Sequence, residues 1–170
     1  MPDKSRQISF GCTKGGLFIR FDSEGTRDTC RVADELVNNF LGTHTDSPTV
    51  MFDLRKCGWV DSTFAGWMVG LNKRLKEADG DGALRVVGWS DGCRESLERM
   101  SLCRLFEQGP ADEPRHFRVL EYPRGEAADR SAIELMAQAH RELAEMDDEN
   151  RRIFGPIADM LEQQLGRIPS

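Results

Sequence analysis

Thr49-Val50-Met51-Phe52-Asp53-Leu54 is the stretch on which the fold turns, and Cys57-Gly58-Trp59-Val60-Asp61-Ser62-Thr63-Phe64-Ala65-Gly66 follows it closely. Ser47-Pro48 breaks the chain just before. A short, mostly apolar run between breakers suits a central strand buried on both faces. After it the apolar period lengthens. Phe64, Trp67, Met68, Leu71 and Leu75 share one face of a helix from about Thr63 to Ala78. Lys73, Arg74 and Lys76 fall in its last half, where the helix dipole favours cations. Asp79-Gly80-Asp81-Gly82 supplies the stop.

Upstream, residues 7–12 and 16–22 alternate apolar and polar around Thr13-Lys14-Gly15-Gly16, a hairpin signal. From about Thr26, the spacing of Thr29, Val32, Ala33, Leu36, Val37 and Phe40 predicts an amphipathic helix that Gly42 ends. Downstream, Ala83 to Gly88 reads as a strand and Asp91 to Met100 as a short helix. Leu102, Leu105 and Phe106 lead into an edge strand, residues 109–114 form a loop, and Phe117 to Tyr122 is a last strand. The order ββαβαβα predicts an α/β domain over residues 1–122. Its mixed sheet has four to six strands, helices mainly on one face, and parallel pairing after the hairpin.

Residues 123–170 read differently. Pro123-Arg124-Gly125 is a break. Ile133, Met136, His140, Leu143 and Met146 then recur at helical spacing, as do Ile153, Ile157, Met160, Leu161 and Leu165. This predicts a C-terminal helical hairpin, with Asp147-Asp148-Glu149 as a solvated loop between its arms. Pro156 either starts the last helix or kinks it. His140, on the apolar stripe, reads as a packed, hydrogen-bonded helix residue.

Composition narrows the function. The 170 residues carry a net charge of −6, of which −2 falls in the first 122 and −4 in the rest. An acidic chain is not built to neutralise a phosphate backbone, so direct nucleic-acid binding is not expected. With no run of 18 apolar residues and no apolar stretch after the N-terminus, neither membrane insertion nor secretion is expected. Five scattered cysteines without a CxxC pair fit a reducing, cytoplasmic setting. Neither they nor the three dispersed histidines form a zinc spacing, and no metal or cofactor is expected.

Ser62 carries two readings. As a serine ahead of a helix it is placed to be the N-cap. As a phosphoacceptor it would put about −1.5 to −2 charges at a helix N-terminus. The dipole tolerates that charge, while an interface built on the helix tip is disrupted.

In this context the sequence resembles the STAS domain family of bacterial anti-sigma factor antagonists. The family's strand ending in hydrophobic-Asp-Leu corresponds to Met51-Phe52-Asp53-Leu54. Its Asp-Ser-Ser/Thr element opening a helix corresponds to Asp61-Ser62-Thr63. Its Leu-x-x-x-Gly-Leu-x-x-Leu-Phe helix end is matched by Leu97 to Phe106. The likeness spans about residues 7–108. Two departures are Phe64-Ala65-Gly66 in place of Gly-Leu-Gly, and Ser23-Glu24-Gly25-Thr26 in place of Gly-x-Leu-Asp. The resemblance implies a protein-binding module in a partner-switching signal cascade that regulates transcription, and not an enzyme. It implies Ser62 as phosphoacceptor, with Asp61, Thr63 and Phe64 framing the partner surface. The implied partners are an anti-sigma factor serine kinase and a PP2C-type phosphatase.

Other readings differ in class. One is a constitutive STAS subunit of a lipid-transport ATPase complex, in which Ser62 only caps a helix. Another is an unphosphorylated scaffold whose C-terminal helices form a homodimer. An esterase-like site would pair Ser62 with His116 or His140 and an Asp, but the Gly-x-Ser-x-Gly elbow is absent. Of the tryptophans, Trp59 or Trp67 would serve as an interface anchor if exposed beside Ser62.

Overall fold

Successive residues of a strand point to opposite faces of its sheet, and that period sorts the core of this protein. Its structure, a computed structural model, describes residues 6–14, 16–44, 48–78, 82–109, 113–123, 125 and 129–168. The breaks expected at 47, 79–81, 110–112 and 124, and turn residue 15, lie outside these. The strands are β1 (Arg6–Thr13), β2 (Gly16–Phe21), β3 (Thr49–Leu54), β4 (Ala83–Trp89), β5 (Glu107–Gln108) and β6 (Arg118–Tyr122). They form one sheet in the order β5-β4-β3-β2-β1-β6. β1 pairs antiparallel with β2 and β6, and β2, β3, β4 and β5 run parallel. The sequence-based expectation of a mixed α/β sheet holds, with the expected parallel pairing from β2 to β5, while β6 departs from it by pairing antiparallel with β1. The edge strand is only the pair Glu107–Gln108; Leu102 and Phe106 are core residues of the turns before it.

The helices are α1 (Arg27–Thr43), α2 (Ser62–Ala78), α3 (Asp91–Arg99), α4 (Arg130–Ala144) and α5 (Asp148–Arg167). Between them and the sheet lies the main core. Ile19, Phe21, Val50, Phe52, Leu54, Leu84 and Val86 point into it from the strands. Phe64 sits at its centre, edge-on to Phe21 at 5.1 Å and to Trp67 at 5.5 Å, while Trp67 stacks on Phe52 at 5.3 Å. Gly16 starts β2 at φ 144°, where a side chain is strained, and a Cβ there would strike the Thr49 carbonyl. Cys30, Cys57 and Cys93 are buried free thiols.

The opposite face carries Phe18, Arg20 and Asp53. The segment 113–117 crosses it, with Phe117 edge-on to Phe18 and under the Arg20 guanidinium at 4.5 Å. Asp53, only 1% exposed, accepts from Arg20 Nε at 3.0 Å and from Arg55 Nε and Nη2 at 2.9 Å each. Glu113 closes the group, accepting from Arg55 at 2.6 Å and Arg20 at 3.0 Å. Burial pushes the Asp53 carboxyl up, but the two guanidiniums outweigh it and hold the group below the usual carboxylate range.

The C-terminal hairpin forms as the sequence predicts, but its arms meet differently. Asp147 is the N-cap of α5, accepting from Asn150 N at 2.7 Å, and Asp148 and Glu149 fill the first turn. The acidic run is therefore a helix start and not a solvated loop, in keeping with the positive dipole end. Pro156 lies inside α5 on its exposed side, where water can reach the Arg152 carbonyl that the missing N–H leaves free. Ile153 and Met160 are exposed and Phe154 and Ala158 face inward in their place, while Leu161 is buried as its spacing predicts.

Candidate functional site

The loop between β3 and α2 is pinned from two sides. The Gly25 amide donates to the Trp59 carbonyl at 2.9 Å, and the Asp61 amide donates back to the Gly25 carbonyl at 2.8 Å. A Cβ on Gly25 would press into Val60 and the Phe64 ring, so this approach needs glycine. On the other side, Ser90 Oγ donates to the Cys57 carbonyl, and the Val60 amide donates to Ser96 Oγ at 3.4 Å. The loop delivers α2 with its first turn fixed.

Asp61, and not Ser62, is the N-cap. Its Oδ1 accepts from the Phe64 amide at 2.8 Å, and its carbonyl accepts the first helical bond, from Ala65 N at 3.0 Å. Both residues are good caps by chemistry; the Gly25 clamp on the Asp61 amide sets the frame one residue earlier. Burial raises the Asp61 carboxyl above its ordinary value, opposed by the Phe64, Arg27 and Thr63 amides and by His140. The folded chain thus holds this proton to higher pH than the unfolded chain. The stability this group contributes falls as pH rises from the ordinary carboxylate value through the raised one. Asp61→Asn keeps the cap acceptor and removes that loss, and is expected to be at least as stable as wild type at neutral pH. Asp61→Ala is expected to cost about 1 kcal/mol. Urea midpoints of the two variants at pH 7 check the pair; a destabilised Asn variant contradicts the assignment.

With Asp61 capping, the Ser62 hydroxyl is released from the helix's own bonds. It lies 2.9 Å from His140 Nε2, on α4. The other ring nitrogen, His140 Nδ1, lies 2.6 Å from the Met136 carbonyl. A carbonyl only accepts, so Nδ1 carries the proton; in the neutral imidazole Nε2 accepts and Ser62 donates. His140 is 5% exposed and packs near the Phe154 ring. It is the packed, hydrogen-bonded helix residue that the sequence suggests, with a partner that the sequence does not reveal.

The other proposed surface residues fare differently. Asp61 and Ser62 are half-buried. Thr63 is 5% exposed and Phe64 fully buried. Phe64 and Thr63 therefore do not frame a surface: the turn that leaves Ser62 half-buried against α4 rotates them into the core. Trp59, 47% exposed and three residues before Ser62, is the apolar group that this loop presents, whereas Trp67 is buried with its indole N–H on Asp34 at 2.9 Å.

A serine bonded to an oriented histidine is half of a nucleophilic site. The other half does not fit. The Thr63 and Phe64 amides, which would have to stabilise an oxyanion, serve Asp61. The third member of the group is the Met136 carbonyl and not an acid. Grooves of 640 Å³ between α1 and α4 and 480 Å³ between α2 and α4 are not lined by Ser62. His116 lies on the segment across the opposite sheet face. Among the described residues, no group of His, Cys, Asp and Glu is placed to hold a metal, and no helix is long and apolar enough to cross a membrane.

No family model matches the chain, and no curated protein matches it.

Proposed function

We propose that this protein is a phosphorylation-switched binding module of the anti-sigma factor antagonist type, with Ser62 as phosphoacceptor. It acts in the cytoplasm by partner switching and performs no catalysis of its own. One observation carries the reading. Asp61 does the capping, so the Ser62 hydroxyl projects from the first turn of α2 without a duty to the helix. A phosphate at that position meets the positive end of the helix dipole, so the sheet domain stays folded while the surface changes charge. The order of strands and helices, and the Asp-Ser-Thr turn after the central β3, agree with the resemblance to STAS domains. Trp59, exposed and three residues before Ser62, supplies the rigid aromatic anchor such an interface uses. The partners in this reading are an anti-sigma factor serine kinase and a PP2C-type phosphatase.

The test is a paired pull-down from native lysate with wild type and Ser62→Asp as baits, read by mass spectrometry. An ATP-binding serine kinase retained by wild type and depleted at least tenfold by the variant is the expected result. Retention of the same kinase by both baits defeats the switch. Membrane transport subunits on both baits move the chain to the lipid-transport class.

A further inference from the structure

Ser62 is half-buried against the chain's own C-terminal hairpin, and three features of the seam bear on what a phosphate there would do. The first is its closeness. A Cβ on Gly66, one turn after Ser62, would collide with the Ala139 carbonyl, and one on Gly70 would touch the Glu142 side chain at 3.3 Å. α4 thus lies directly on the glycine side of α2. The second is the chemistry of the contact. Ser62 Oγ donates to His140 Nε2, and a phosphate ester at that oxygen has no proton to give. Nε2 could bond the phosphate oxygens only as an imidazolium, and the half-buried Asp61 carboxyl stands on the neighbouring residue. The third is how the hairpin is held. Ile133, Ala137 and Leu161, with Met136, Ile157 and Leu165, form a small core between α4 and α5 that needs no other element. Docking onto the main core rests on Leu143, Ala144 and Phe154, on the Asn150 amide donating to the Met100 carbonyl at 3.1 Å, and on His140. At the rim, Lys73 lies 3.8 Å from both Glu142 and Glu145.

We infer that the α4–α5 hairpin is a latch on the Ser62 surface and that phosphorylation of Ser62 releases it. This rests on the reading of Ser62 as phosphoacceptor and adds what the modification acts on first. A group carrying about −1.5 to −2 charges adds bulk and charge at the Ser62–His140 contact, one turn from the point where even a methyl group on Gly66 would collide with backbone. The sheet keeps its core, the hairpin keeps its own, and the contact between them opens. Release bares the Gly66–Gly70 side of α2 and the docking face of α4, so the covalent state of Ser62 determines which of two surfaces the protein presents.

The test uses the full-length purified chain without any partner. Hydrogen exchange is compared for wild type, Ser62→Ala, Gly66→Ala, and protein carrying phosphoserine at position 62 installed during translation. A released hairpin keeps only the small α4–α5 core and loses the packing of α4 on α2, and helices held by so little are marginal in water. Exchange across 132–144 is therefore expected to accelerate at least tenfold in the phosphoserine protein and in Gly66→Ala, which opens the seam without charge. Residues 50–54 and 84–86 serve as the internal reference and stay protected. Ser62→Ala, which loses one bond but adds no bulk, stays close to wild type. Unchanged protection of α4 in the phosphoserine protein overturns the latch, all the more if Gly66→Ala shows that the hairpin can be released. Because the phosphoserine is installed and not transferred by a kinase, this result is independent of the pull-down. A failed latch with a lost kinase leaves the switch standing, and a released hairpin with no kinase leaves the latch without its writer.

Discussion

Phe64→Ala should be the most destabilising single substitution in the first turns of α2, costing about 3–5 kcal/mol. The ring is fully buried and touches Phe21, Phe52 and Trp67. Its removal loses the transfer energy of an aromatic side chain and leaves a void that three rigid rings cannot close. The stiff Gly25 loop on one side blocks collapse from that direction. A lowering of the thermal midpoint by about 10 °C follows, at roughly 2–4 °C per kcal/mol for a chain of this size. Urea or thermal unfolding checks it. A cost below 1 kcal/mol would mean that Phe64 is not packed as described and would return it to the surface.

Asp53→Ala ranks second, at roughly 3 kcal/mol, because it removes the acceptor at the centre of a four-membered charge group and leaves Arg20 three-quarters or more buried without it. Arg55 is about half exposed and regains water, which holds the figure at the lower end. The pH dependence has a definite sign. The folded Asp53 carboxyl lies below its ordinary value, so its contribution is present in full above the unfolded value of about 4. It is lost as pH falls from there through the depressed folded value. The stability gap between wild type and Asp53→Ala should therefore be wide at pH 7 and narrow on acidification below about pH 4. Denaturant midpoints across that range measure it; a gap that does not change with pH would show that packing and not charge is at stake.

The order of the elements was legible because their signals are local. The run Thr49–Leu54, the helical spacing from Phe64 to Leu75 and the alternation in the first hairpin each need only a window of a few residues. What failed was of two kinds. Where neighbouring residues offered the same chemistry, sequence could not choose between them. Asp61 and Ser62 both cap helices, and the Gly25 clamp, 36 positions upstream, settled the matter. Asp147-Asp148-Glu149 fits a loop and a helix start equally, and Asn150 reaching Met100 fixed the latter. The second kind is long-range. Nothing local in Ser62 or His140 indicates that they meet, nor that Arg20, Asp53, Arg55 and Glu113 close a ring. The reading of Phe64 as a surface residue failed for a related reason: the motif comparison put it in place of a glycine, and only the rotation of the first helical turn shows where its ring goes.

The sheet order also bears on how the chain is made. β1 lies inside the sheet, yet its outer neighbour β6 is more than a hundred residues away in sequence. At roughly 5–20 residues per second of synthesis, the Ile8–Phe10 edge leaves the ribosome about 5–20 s before Arg118–Leu120 can cover it. The other margin is only the two residues of β5, too short to template much pairing. The nascent chain is therefore exposed to intermolecular strand addition on one side, and the residues that end the hazard are among the last of the sheet domain to be translated. A stalled or truncated product ending before Arg118 would carry that open edge permanently and should aggregate where the full-length chain does not.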